Sequence, residues 1–544
     1  MNNNSPNPIF DGKLILTIVL ITVFWIAYQT HLAKKYPKTA TTVSNSTPEA
    51  LAPTSTGVTE PKVSTEKSTE GIASLQKNNS IPDVKPEKTL IYKSETFSFT
   101  ISSYGLGIKN VDLNHYKGRA GEDIILAGND GSVLFQTLFN GQTGPIIFDL
   151  SQTGEKEFTG VYENAGVKVI KIIHVDDLNY SLRTKVRVEG AANNFTGLVT
   201  KTVEKILPHT GGMFFMPSFD HQEFFVINED SHNRSIITEK DNFSEVYTKV
   251  KIAAFGSQYF ASAIVDKSPV MPEYRAATVI SEQNTYGLLT HNVLSKSPEF
   301  SIEYIAFAGP KSADILKTID PELTDLVNFG FFASIAKTLH WLLRTIHAAI
   351  GNWGFAIILL TLLIRVLVMP FNLMSYRSMK AMTSVQPQMK IIRERYKNDP
   401  NTMNQEVMKL MKESKANPLG GCLPMFLQIP IFFALYQVIG QSIELYQAPF
   451  AFWIHDLSLK DPFYILPVLM GITMFLQQKM TPSTMEPAQQ KIMLFLPLVF
   501  SFMMIGLPSA LTLYLSVSTL FGVLQQYFFM KSNNMNVSPQ QVSA

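Results

Sequence analysis

The chain has 544 residues, 46% of them hydrophobic, and 46 basic against 44 acidic residues give a net charge of +2. That balance argues against nucleic acid as a bulk partner, while the length leaves room for a soluble domain and several membrane spans. A single cysteine, Cys422, excludes an intrachain disulfide framework.

The first predicted element is the apolar run Leu14–Ala33, bounded by Lys13 and Lys34. No small-x-small cleavage pattern closely follows it, and Trp25 and Tyr28 suit the membrane interface. Residues 1–36 are therefore expected to form an uncleaved signal-anchor helix. Residues 37–88 are rich in Ser, Thr, Pro and Glu and hold no aromatic residue before the β patterns begin. Such a segment buries too little apolar area to offset its ordering entropy, and is expected to be a flexible tether.

From Thr89 to about Pro310 the pattern changes to short strands. In Tyr180–Glu189 apolar and polar residues alternate, as in a half-buried antiparallel strand, and Val167–Ile173 forms its hairpin partner across an Asp-Asp turn. Glu95–Ile101, Ser132–Leu138 and Thr248–Phe255 read the same way. Residues 89–330 are expected to form one all-β sandwich followed by a helix over Lys311–Val327. Asp220, His221, Glu229, Asp230 and His232 lie close in sequence there, but their spacing fits no catalytic or metal pattern.

Phe331, Ile335, Leu339, Leu342, Leu343 and Ile346 recur at helical spacing, with Lys337, His340 and Arg344 on another face. Residues 331–350 are thus predicted to be an amphipathic helix lying in the membrane interface. The next stretch, Gly351–Ser375, is long and apolar enough to span, yet holds Arg365 in its middle, with Thr361 one turn earlier. A guanidinium in hydrocarbon costs at least ~2.5–3.5 kcal/mol, so it must snorkel to the headgroups or face protein and water. Its position a turn or more inside the apolar run favours a polar site within a helix bundle.

Residues 374–416 are the most charged part of the chain. Nine basic residues, including Arg377, Lys380, Arg393 and Arg395, stand against four acidic ones over Met374–Lys415, a net of +5. The turn Asn398-Asp399-Pro400-Asn401 divides the segment into a helical hairpin, which the positive-inside rule puts in the cytoplasm. Further spans are predicted within Ala416–Ile443, over Pro462–Gln478, and twice within the 39 uncharged residues Ile492–Met530, split at Gly506-Leu507-Pro508-Ser509. With the anchor this makes a membrane α-helical bundle of six transmembrane helices, both termini cytoplasmic, plus the external β domain. Residues 351–530 hold the last five spans and residues 531–544 a short tail. No GxxxxGK[ST] phosphate loop is present, so nucleotide hydrolysis is not expected.

The segments NPLGGCLPMFLQIPIFFALYQVI (417–439), QAPFAFWIHDLSLKDPFYILPVLMGITMFLQQKM (447–480) and QQKIMLFLPLVFSFMMIGLPSALTLYLSVSTLFGVLQQ (489–526) resemble the YidC/Oxa/Alb family of membrane protein insertases. KIAAFGSQYFASAIV (251–265) is similar to part of the periplasmic supersandwich of its Gram-negative members. The resemblance implies a five-helix insertase core in the inner membrane, with a hydrophilic groove open to cytoplasm and lipid. Arg365 and Thr361 match groove positions on one span, Gln428, Ile429 and Phe432 positions on the next, and Tyr514 one on the last. Where the family often has a second Tyr, this chain has Leu515. The resemblance further implies an insertase and chaperone, not an enzyme, without cofactor or metal. Its implied clients are nascent inner-membrane proteins, and its implied partners the lipid bilayer, the Sec translocon, and ribosome or targeting machinery at the cytoplasmic face, where the hairpin's Arg377, Lys380, Arg393 and Arg395 offer contacts. The competing reading is a transporter or channel for an anionic solute, against which stands the lack of visible internal repeats. A sugar-active periplasmic enzyme would rest on the sandwich and its His/acid residues alone.

Overall fold

The computed structural model describes residues 86–532 apart from 120, 129, 143, 165, 191–195, 209–218, 230, 270–271, 282–283, 296, 298, 415–422 and 482–486. The expected anchor, most of the tether, Cys422, Asp230 and nearly all of the tail lie outside the described residues. The chain divides into two compact units, one up to Leu326 and one from Val327.

The first unit is built from two antiparallel sheets of nine strands. One runs His232–Ile237, Gln222–Asn228, Val250–Gly256, Phe260–Asp266, Phe300–Pro310, Ser181–Glu189, Val167–Asp176, Glu157–Asn164, Asp149–Gly154. The other runs Thr89–Lys93, Phe97–Ser102, Ile108–Lys117, Val133–Phe139, Gly197–Lys205, Asn284–Leu294, Glu273–Ser281, Ser244–Tyr247, with Asp123–Leu126 beside Ile108–Lys117. The alternation in Ser181–Glu189 buries Leu182, Thr184, Val186 and Val188 and turns Arg183, Lys185 and Arg187 outward, as period-two geometry requires. Val167–Asp176 pairs with it along its whole length, through the turn at Asp177–Asn179 and Tyr180. The helix expected over Lys311–Val327 is shorter: α1 covers Ala313–Ile319, and a 3-10 turn takes Pro321–Leu326. Pro321 lacks an N–H to extend α1, which ends at Asp320.

Charge is buried between the sheets. Lys171 is 0% exposed and donates from Nζ to the carbonyls of Phe135 (2.8 Å), Leu106 (3.0 Å) and Gly105 (3.1 Å), and to Thr137 Oγ1 (3.0 Å). Gly105, Leu106 and Phe135 all have positive φ, in a turn and in an irregular strand that the ladder leaves incompletely bonded. Lys171 supplies a donor there, beside the Thr137 N–H from which the Gly105 carbonyl also accepts at 2.9 Å, while burial pulls its pKa down to about 7. Near the sheet edge, buried Glu223 accepts from Arg234 and lies 3.5 Å from Lys311 Nζ. Burial pushes the Glu223 carboxyl up, but Arg234, Lys311 and His221 outweigh it and hold it below the ordinary glutamate range. Arg234 also donates to the Asp325 carbonyl, tying down the turn that ends the unit.

The second unit is helical. α2 covers Ala333–Ile350, α3 Trp353–Arg395, α4 Pro400–Glu413, α5 Leu423–Gln441, α6 Ile465–Met480, α7 Pro487–Met503 and α8 Ser509–Ser532. α2 buries Ala336, Leu339, His340 and Leu343. His340, expected on the polar face, instead points inward, with Nε2 3.7 Å from Glu444 Oε2. Ile335, Trp341 and Ile350 of α2 are exposed large apolar side chains, as is Phe331 just before it.

The span and the first arm of the hairpin, expected as separate helices, are one helix of 43 residues. The charge pattern changes near Met374, but Pro370 is accommodated without ending the helix. The chain turns only where Asp399 caps α4, accepting from Thr402 N at 3.1 Å, with Pro400 at the first helical position. Val385 and Met389 of α3 pack with Val407 of α4 to hold the hairpin together.

Among the described residues, Trp353–Arg395 and Ser509–Lys531 are long and apolar enough to cross a membrane. Phe426–Gln441, Ile465–Met480 and Ile492–Gly506 are shorter apolar helices. Polar side chains join them. Thr473 and Thr519 hydroxyls lie 2.8 Å apart between α6 and α8, Ser516 Oγ donates to the Leu466 carbonyl at 3.0 Å, and Ser501 Oγ to the Pro467 carbonyl at 2.6 Å. Such small hydroxyl residues let apolar helices approach closely and bond.

Candidate functional site

α3 carries Arg365 half-buried among apolar neighbours. Its Nε donates to Ser518 Oγ of α8 at 2.8 Å, and its Nη2 donates to the same oxygen. Among the described residues its partner is therefore one neutral hydroxyl. A guanidinium carries five N–H donors, so most of its hydrogen-bonding capacity and its full charge stay uncommitted to a counter-ion.

One turn before Ser518, Tyr514 is 1% exposed, and its hydroxyl accepts from Gln428 Nε2 of α5 at 2.6 Å. α8 thus holds Arg365 through Ser518 and Gln428 through Tyr514, joining three helices. Ile429 and Phe432 flank Gln428 on α5, both half-buried, with the Phe432 ring 5.6 Å from Phe433 and 6.4 Å from Tyr436. Leu515 is half-buried beside Tyr514. Thr361 is different. It is 1% exposed and donates to the Ile357 carbonyl of its own helix at 2.6 Å, so its hydroxyl is spent within α3. Arg377, Lys380, Arg393 and Arg395 are exposed along the far part of α3, well away from these contacts in the chain.

Sequence reasoning did not single out Ser518, nor the pair Asn372 and Gln525, where Asn372 Nδ2 donates to Gln525 Oε1 at 3.1 Å. The signal was present as spacing: Tyr514, Ser518 and Gln525 form a polar stripe on one face of an apolar helix. In the β unit the sequence cluster disperses. His232 Nδ1 lies 3.2 Å from Asp325 Oδ2, and Glu229 pairs with Lys249 at 3.0 Å. Among the described residues no group of three or more His, Cys, Asp or Glu gathers as a metal site.

Two family descriptions account for most of the chain: "YidC periplasmic domain" matches residues 92–342 and "60Kd inner membrane protein" residues 345–536. A membrane protein insertase YidC of Geotalea daltonii is 35% identical over 473 residues, 82% of this chain and 87% of its own. The chain belongs to the YidC family of membrane protein insertases. One YidC of Pelobacter propionicus, 32% identical, covers 96% of this chain and 100% of its own. A solved active YidC insertase with its first transmembrane domain resolved covers 82% of this chain and 93% of its own, at 19% identity and a TM-score of 0.38. YidC-family chains are inner membrane proteins with a periplasmic domain, which assigns the two-sheet unit to the periplasmic part and the helical unit to the membrane part.

Proposed function

We propose that the helical unit inserts small membrane proteins through a hydrophilic groove walled by α3, α5 and α8, open to cytoplasm and lipid. The observation that carries this reading is Arg365, a full positive charge within an apolar span whose partner is a serine hydroxyl. Insertion requires a polar external segment of the client to cross hydrocarbon. A wet recess with a positive charge lowers that cost by attracting acidic side chains and shortening the remaining apolar path. Gln428, Tyr514 and Ser518 supply polar lining, while Ile429, Phe432 and Leu515 offer the client's apolar helix a surface on which to slide out sideways. No nucleotide is hydrolysed in this scheme.

The six-span arrangement with both termini in the cytoplasm belongs to the same proposal. So do action alone or beside the Sec translocon, and contact of clients, ribosome or targeting machinery with the hairpin through Arg377, Lys380, Arg393 and Arg395. The short apolar helices α6 and α7, of 16 and 17 residues, match a locally thinned bilayer.

The test is insertion by the reconstituted full chain of matched clients with acidic or neutral external segments. Arg365→Ala should slow acidic clients by roughly tenfold to a hundredfold, equivalent to ~1–3 kcal/mol in the transfer step, and leave neutral ones nearly unaffected. Arg365→Lys, which keeps the charge but not the planar fork, should retain most activity. Equal insertion of both clients by Arg365→Ala at normal protein levels would refute the electrostatic groove.

A further inference from the structure

α3 and α8 keep a constant sequence offset along their contact. Arg365 meets Ser518 and Asn372 meets Gln525, each pair separated by 153 residues. The Tyr376 and Phe529 rings, 5.2 Å apart, continue the same offset. Only parallel helices that do not slip against one another preserve such an offset, and the rungs recur at heptad-like spacings of seven and four residues. Asn372 and Gln525 are 5% and 7% exposed, and Gln525 Nε2 is buried with no partner among the described residues. A buried amide that leaves one donor unpaired is a poor device for stability. It is a good device for specifying geometry, as a lone buried Asn does in setting coiled-coil register.

The place of this rung matters. Pro370 lies between Arg365 and Asn372 and offers no N–H to the Val366 carbonyl, so the α3 ladder is weakened between the two contacts. Asn372 follows two residues later and fixes the helix again. The adjacent Gln526 turns the other way and donates to Thr481 Oγ1 at 3.2 Å, at the end of α6. α8 is therefore held on two sides at one level.

We propose that Asn372 and Gln525 are positioning residues for insertion: their hydrogen bond sets the register of α3 on α8 and thereby keeps the Arg365 guanidinium beside Ser518, turned into the client path. This rests on the reading of Arg365 as the charge of the groove. Neither amide touches the client; both act through Arg365.

The experiment uses the full chain in proteoliposomes with the acidic and neutral clients, and compares Asn372→Leu, Gln525→Leu, the exchanged pair Asn372→Gln with Gln525→Asn, Arg365→Ala, and Arg365→Ala combined with Asn372→Leu. Either leucine variant should slow the acidic client about tenfold and the neutral one less than about twofold, and the exchanged pair should recover most of the loss. Because Asn372 acts through Arg365, the combined variant should be no slower than Arg365→Ala alone. Register is read separately by disulfide formation between Tyr376→Cys and Phe529→Cys in a Cys422→Ser background. That bond should form with Asn372 present and weaken with leucine there. Unchanged cross-linking in Asn372→Leu, or additive losses in the combined variant, would overturn the proposal. If Arg365→Ala treated both clients alike, the groove reading would fall, and the cross-link would still decide the register.

Discussion

Lys171 in the β unit and Arg365 in the helical unit are both cations withdrawn from bulk water, and the protein treats them in opposite ways. Three carbonyls and a hydroxyl surround the Lys171 ammonium, more acceptors than it has N–H groups. Arg365, with five N–H groups, is met by one serine oxygen. The Glu223, Arg234 and Lys311 group, five strands away in the same sheet, is also internally satisfied, though by opposite charges at close range. A saturated buried charge has no capacity left for a visitor and acts on the fold. An unsaturated one keeps its field available, and a client can use it.

This contrast can be broken at several points. Glu223→Gln should be the most damaging, since it strips two buried cations of their carboxylate; about 3–5 kcal/mol of β-unit stability should be lost in denaturant unfolding. Lys171→Met should cost about 3 kcal/mol by removing the ammonium that the Leu106 and Phe135 carbonyls accept from. The same residue predicts a pH slope. Its folded pKa is down at about 7 and the unfolded value lies near ~10.4, so between them the unfolded chain binds more protons. The Lys171 contribution to stability should therefore rise with pH from about 7 to about 10 and be flat below, and Lys171→Met should reduce the slope over that window. Neither variant should change the preference for acidic clients. Ser518→Ala should have the smallest effect, about 1 kcal/mol or less on stability, with acidic-client insertion falling less than about fivefold, because Arg365 keeps its charge. A Ser518→Ala loss as large as that of Arg365→Ala would mean that the serine, and not the field, is what clients need.

The strands were legible because alternation in a half-buried sheet leaves a direct imprint on the sequence. The same parity contains Lys171, which stands in the inward series with Val169, Ile173 and Val175; the charge disguised its position. Arg365 was legible for the converse reason, as a charge in a run that should hold none. His340 was misplaced because the buried face of α2 is set by Glu444, about a hundred residues away, and not by local hydropathy. Ser518, Asn372 and Gln525 were missed because small polar residues are ordinary in apolar helices. Their meaning lies in partners 153 residues away. The join between span and hairpin was misread because composition changes there while nothing in the backbone chemistry stops the helix.

That uninterrupted helix makes α3 a lever. Its 43 residues extend roughly 65 Å at about 1.5 Å per residue, and the α8 contacts at Ser518, Gln525 and Phe529 hold the stretch from Arg365 to Tyr376, so that about 28 Å of α3 reaches past them. A tilt of about 10° beyond Tyr376 would sweep the hairpin end of α3 through roughly 5 Å, against a stretch that α8 holds in place. A displacement at the hairpin would thus reach Arg365 only through the contacts that pin α3 to α8.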